Sequence, residues 1–148
     1  MLVTNHVLSG AVIGAAARRP VSAFALGVVS HFVLDAVPHW GEWRAHGQFM
    51  RVAVADGLTG LAVMGAMTAI APADARAAVL AGMMGAALPD LDKPSVIYFG
   101  RSPFPRQVNE FHSIIQREEQ HRFPHEAAAG LVFLAAAIAL LRPRLRRR

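Results

Sequence analysis

The sequence predicts an all-α, integral-membrane bundle of about five helices, with a polar His/Asp cluster at one set of helix ends. Three observations carry this reading. Apolar residues make up 54% of the chain against 17% charged, a balance above that of ordinary soluble domains. Two runs, 57–73 and 127–141, contain no charged residue and approach the roughly 20 residues that a bilayer requires once their flanks are counted. The third is placement. Successive helices run in opposite directions, so the starts of odd helices and the ends of even ones share a side. Six of the seven histidines and every acid except Asp74 fall on that side.

The first helix spans 5–17, where Thr4 or Asn5 can cap it and Gly10 and Gly14 form a small-residue ridge open to close helix contact. Arg18-Arg19-Pro20 makes a tight connection, with Pro20 suited to the first turn of the next helix. The second helix covers 21–37 and Pro38 ends it. Residues 39–48 form a short loop in which the indoles of Trp40 and Trp43 suit a membrane–water interface. The third helix runs over 49–70, residues 71–74 make a turn, and the fourth covers 75–88. From 90 to 124 the composition shifts to charges, prolines and histidines. An amphipathic helix is expected there over 109–120, with Phe111, Ile114 and Ile115 on one face. A fifth helix covers 125–141. No repeat or low-complexity linker divides the 148 residues, so a single helical membrane domain is expected.

Composition also removes several function classes. Without cysteine there is no disulfide framework, thiolate metal site or thiol nucleophile. Arg18 and Arg19 follow the first apolar stretch instead of preceding it, unlike a secretory signal. The formal charge is +5, yet basic residues do not alternate with aromatics on any helix, so no nucleic-acid partner is expected. The densest basic cluster is Arg142, Arg144, Arg146, Arg147 and Arg148, which reads as an anchor to anionic headgroups. Lys and Arg divide almost evenly between the two sides, eight against seven, and the concentration of five in the tail beside a span places it in the cytoplasm and the His/Asp cluster at the opposite leaflet.

The string Ser30-His31-Phe32-Val33-Leu34-Asp35-Ala36-Val37-Pro38-His39 is the most specific chemical signal. His31 and Asp35 stand four apart on one helical face and can reach one ion together, while His39 continues the spacing beyond Pro38. An isolated pair of this kind can simply join helices; the further histidines and acids on the same side favour a metal. Leu88-Pro89-Asp90-Leu91-Asp92 sets two carboxylates two residues apart, suited to oxygen ligation or general-base work, or else to a solvated Pro-Asp turn. Asp56 lies inside an apolar span, where its expected partner is a metal, an arginine such as Arg51, or a ligand histidine. His112 offers a ligand or an acid/base group, with Gln116 to orient it. The expected metal set is therefore His6, His31, Asp35, His39, Asp56 and Asp90, with Asp92 and His112 as the groups closest to proton transfer. His121, His125 and Glu126 read as interfacial. Neither a Gly-rich phosphate loop nor a His-Glu-x-x-His pattern is present.

These strings resemble the membrane-bound, predicted metal-dependent hydrolase family of bacterial inner membranes. The residues carrying the resemblance are His6 with Gly10, Asp90 with Asp92, His112 with Ser113, and His31 with Asp35. Nearly the whole chain is also similar to short bacterial membrane proteins that begin with Asn-His and carry Ser-His-x-x-x-Asp, Pro-His and Phe-His motifs. A looser likeness is to the all-helical zinc phospholipase C and nuclease fold, which also gathers His and Asp ligands from several helices. The resemblance implies a protein integral to the bacterial inner membrane. It implies hydrolysis of a phosphoester or ester in the lipid headgroup region, with a divalent metal ion, zinc or manganese. The alternative reading is a non-catalytic membrane protein with a structural metal or a paired His/Asp cluster. A soluble bundle binding an acidic partner is the third.

Overall fold

A computed structural model describes residues 1–41 and 46–142. Trp43, half of the expected aromatic loop, and the tail arginines Arg144, Arg146, Arg147 and Arg148 lie outside the described residues. The described residues are helical apart from two two-residue strands and connecting turns. Its elements in order are α1 (Val3–Ala17), α2 (Pro20–Asp35), β1 (His39–Trp40), α3 (His46–Ile70), α4 (Ala73–Ala87), a 3-10 turn (Leu88–Leu91), α5 (Asp92–Phe99), α6 (Arg106–Ile115), β2 (Glu118–Glu119), a second 3-10 turn (Gln120–Arg122) and α7 (Phe123–Leu141).

The centre of the molecule is α4, packed between α1 and α2, and glycines explain why these three helices come so close. A Cβ on Gly10 would run into the Gly82 carbonyl, one on Gly14 into the backbone of Ala78 and Val79, and one on Gly27 into Gly82 again. Only hydrogen at these positions allows backbone to meet backbone. Around this contact Val7, Val79 and Met83 are fully buried, and α7 adds Ala137 and Leu141 to the same core. Each fully buried side chain of this size contributes about 1.5–3 kcal/mol relative to exposure.

The two longest helices behave differently. His46–Ile70 and the continuous stretch Gln120–Leu141 are long and apolar enough to cross a membrane, and only 11% and 17% of their most apolar windows are buried. In α3 just Gly60 and Met67 are buried, while Val54, Leu58, Leu61 and Ile70 are exposed. A core helix of a water-soluble protein would be covered on its apolar side.

Several expectations change in detail. Of the five expected apolar helices, α1, α2 and α4 have 15, 16 and 15 residues. At 1.5 Å per residue these reach about 22–24 Å, short of the ~30 Å hydrocarbon thickness. The polar segment holds two helices instead of one. The extra one, α5, follows the Leu88–Leu91 turn directly, with Pro94 in its first turn, where a missing N–H costs nothing. The amphipathic helix is real but begins earlier, at Arg106. Residues 46–48, expected in the loop, open α3, and His39–Trp40 pairs in parallel with Glu118–Glu119. Neither Thr4 nor Asn5 caps α1, whose N-cap position is Leu2.

Candidate metal centre

Asp35 is the hub. It closes α2, is completely buried, and gathers donors from three helices. His6 of α1 lies 3.1 Å from Oδ1 through Nε2, and the Met1 α-amino group donates to the same oxygen at 2.8 Å. His31 Nε2, one turn back on α2, and His112 Nε2 of α6 lie 3.2 and 3.0 Å from Oδ2. Gln116, one turn beyond His112, adds a longer 3.4 Å contact to Oδ2. The i,i+4 spacings 31/35 and 112/116 place each pair on one helical face, and the α2–α6 contact brings the faces together.

The donor atoms around this hub could hold a cation. His31 Nδ1 faces the Ala86 carbonyl at 2.8 Å, and since a carbonyl only accepts, Nδ1 carries the proton. The other ring nitrogen, Nε2, lies 3.0 Å from His112 Nε2. His112 turns its other nitrogen toward Asp92, with Nδ1 and Oδ2 3.9 Å apart. That separation is beyond hydrogen-bond distance, and the nearer partner of Asp92 is the Lys93 ammonium at 3.1 Å. Two imidazole nitrogens and one carboxylate oxygen thus form a triangle with sides of 3.0, 3.0 and 3.2 Å. Tetrahedral donors with bonds of about 2.0–2.1 Å stand roughly 3.3–3.4 Å apart, so the triangle is close to the size of a zinc-type face.

The donor set extends beyond the triangle. His6, His31 and Asp90 offer atoms within 4.8 Å of one another, as do Asp90, Asp92 and His112. His6 stacks on His31 with ring centroids 4.0 Å apart, and its Nδ1 is buried without a hydrogen-bond partner. His31, Asp35 and His112 are buried, whereas Asp90 and Asp92 are half-buried, so the carboxylate pair forms the more open side. Lys93 reaches Asp92 at 3.1 Å and Asp90 at 3.8 Å on that side. The residues present fit a divalent ion, by the donor atoms they converge and by the buried nitrogen on His6 that nothing else satisfies.

Among the described residues, His6, His31, Asp35 and Asp90 come together as the sequence pattern suggests. His112, expected as a proton-transfer group, lies within the donor triangle itself. His39 and Asp56 fall outside these convergent sets. His39 bonds its own turn, Nδ1–H donating to Val37 C=O at 2.9 Å, and leaves Nε2 buried without a partner. Asp56 instead accepts from Val3 N–H at 2.6 Å, from Thr4 N–H at 3.1 Å and from the Thr4 hydroxyl at 2.6 Å. It caps α1 from α3, satisfying amide groups that a helix leaves unpaired at its start.

Glu126 does more than its expected interfacial role. It is buried, accepts from Leu2 N–H at 2.8 Å and from the Asn5 amide at 2.9 Å, and receives Trp40 N–H at 3.2 Å. One signal was available. Glu126 directly precedes a run without charge, where a carboxylate needs donors. His121 is exposed and pairs with Glu119, whose carboxyl is held below its usual range mainly by the Arg122 guanidinium. His125 is exposed as well.

No family model matches the chain, and neither does any curated protein or solved structure.

Proposed function

We propose that the chain is an integral protein of a bacterial inner membrane, and that its buried cluster holds a divalent ion, zinc or manganese, for hydrolysis of a phosphoester or ester at the headgroup level. The observation that carries the reading is the triangle of His31 Nε2, His112 Nε2 and Asp35 Oδ2, with the outward nitrogen of His31 committed to a carbonyl. His31, His112 and Asp35 would hold the ion, with His6 and Asp90 extending the donor set. A divalent ion in such a site supplies a lowered pKa for water and neutralises charge on a phosphoryl or acyl oxygen. The chain contributes the rest. Gln116 braces Asp35 and His112, and half-buried Asp90 and Asp92 accept or return protons on the open side. Membrane embedding is supported by α3 and by the Gln120–Leu141 stretch, whose apolar surfaces lack protein cover.

The test is elemental analysis of detergent-purified protein, followed by hydrolysis of p-nitrophenyl phosphate, bis-p-nitrophenyl phosphate and p-nitrophenyl butyrate. About one equivalent of divalent metal or more, lost together with activity in His31→Ala, is the expected result. Protein free of divalent metal after purification without chelators, and inert after reloading, overturns it. A second reading rests on the donors that close around Asp35: a paired cluster that locks α1, α2 and α6 together without turnover. Bound metal with a complete set of protein ligands and no activity on any substrate would favour that one.

A further inference from the structure

A cleft of about 500 Å³ runs between the first turn of α1, the middle of α3, and α5. Its volume falls within the ~300–1,000 Å³ of small-molecule sites. Most of its walls are apolar, including Val7, Leu58, Leu61 and Ile97. Its polar lining is organised. Asp56 is already engaged by the start of α1, while Asp90, Lys93 and Gln116 belong to the network around the metal centre. The cleft is therefore mostly apolar and continuous with the His/Asp cluster at its polar end.

The α3 wall includes two glycines. Gly57 and Gly60 both line the cleft, and a Cβ on Gly57 would meet nothing within 4 Å. Nothing in the packing of α3 requires glycine at that position, and glycine in a helix interior costs about 1 kcal/mol relative to alanine. What the missing side chain leaves is room in the cleft. The wall also belongs to a helix long and apolar enough to cross a membrane, so the cleft is within lateral reach of hydrocarbon chains.

We propose that this cleft holds an acyl chain of a phosphate-bearing membrane lipid, with the phosphate at the Asp90–Lys93 end beside the cluster. The inference rests on the membrane and metal reading above and names the substrate class for that site. The chain fits a groove whose walls are mostly apolar and whose one mid-groove carboxylate on α3, Asp56, is taken up by the start of α1. The phosphate fits an end where the Lys93 ammonium stands beside a donor set that could hold a divalent cation.

Trp40 lines the cleft and reports on it. In a Trp43→Phe background, Trp40 fluorescence is followed in dodecyl maltoside micelles titrated with 9,10-dibromostearoyl phosphatidic acid. Saturable quenching is expected, lost in Gly57→Phe, which fills the groove, and retained in Gly65→Phe, whose Cβ also meets open space but which does not line the cleft. Lys93→Met should weaken the quenching midpoint for the phosphatidic acid about tenfold, the loss of one charge-assisted contact, and leave dibrominated diacylglycerol unchanged. Equal quenching in Gly57→Phe and its parent overturns the proposal, as does equal affinity for the two lipids. Metal content is measured on the same samples. Normal metal without selective quenching defeats the cleft alone, whereas selective quenching on metal-free protein defeats the metal reading alone.

Discussion

The α1–α2–α4 centre and helix α3 are built from similar amino acids and treated oppositely by the fold. Both are rich in alanine, glycine and aliphatic residues. In the centre, glycines sit where another backbone passes, as at Gly10, Gly14, Gly27 and Gly82. In α3, Gly47, Gly57 and Gly65 face open space at the position of a Cβ. The same residue type is a packing requirement in one region and an unfilled surface in the other. Small-residue ridges thus become informative only when the partner helix is known.

The widest gap between the regions should appear at Asp35. Removing its carboxylate strands several buried donors at once, and breaking a buried charged pair of this kind costs about 3–5 kcal/mol. Asp35→Ala is expected to lower the thermal unfolding midpoint in detergent well below that of any α3 variant and to bind no divalent metal. An unfolding midpoint like that of the parent would show that the hub carries little of the stability.

Gly82→Leu tests the backbone contact itself. Overpacking there should cost about 1–3 kcal/mol or more, because helix backbones and not flexible side chains must move. Asp56→Ala probes the single carboxylate from α3 that closes the start of α1. Loss of a helix cap costs about 0.5–2 kcal/mol, and the measurement is thermal unfolding alongside metal content, which should stay at the parental level. Gly65→Ala should be neutral or stabilise by up to about 1 kcal/mol, the opposite sign from Gly82→Leu. If Gly65→Ala destabilises as strongly as Gly82→Leu, the contrast between the regions collapses. The smallest effect belongs to Arg18→Ala. Its ion pair with Asp74 is 2.6 Å long but solvent-exposed on both partners, so a change below about 0.5 kcal/mol is expected from the same unfolding curves.

The sequence was most readable where one residue type has one physical use. Gly10 and Gly14 marked a close helix contact, and the spacing of His31 and Asp35 marked a shared face. The convergence of His6, His31, Asp35 and Asp90 followed from antiparallel helices alone. It was least readable where partners lie far apart. The cap of α1 comes from Asp56, over 50 positions away, so Thr4 and Asn5 looked like sufficient local caps. His112 carried no marker distinguishing a donor within the triangle from a group beside it, since that depends on how α6 docks against α2. Helix α5 was hidden by Lys93-Pro94, which resembles a stop, although proline in a first turn is equally compatible with a start. The five-span expectation treated apolar composition as length. The 15 or 16 residues of α1, α2 and α4 show that composition can serve a compact interior contact as readily as a bilayer crossing.

The Glu126 contacts have a temporal consequence. Leu2 and Glu126 are 124 positions apart, and Asn5 and Glu126 are 121 apart. During synthesis α1 and α2 emerge together, and His6 can meet Asp35 as soon as they pair. The amides of Leu2 and Asn5 must wait until almost the entire chain has left the ribosome, and so must Trp40 N–H. Asp56 of α3 can take the Val3 and Thr4 amides before α7 is made, whereas the three donors of Glu126 have no such earlier partner in the fold and depend on α7. Glu126 thus ties the last helix of the chain to its first, across the widest sequence separation in the hydrogen-bond network described above.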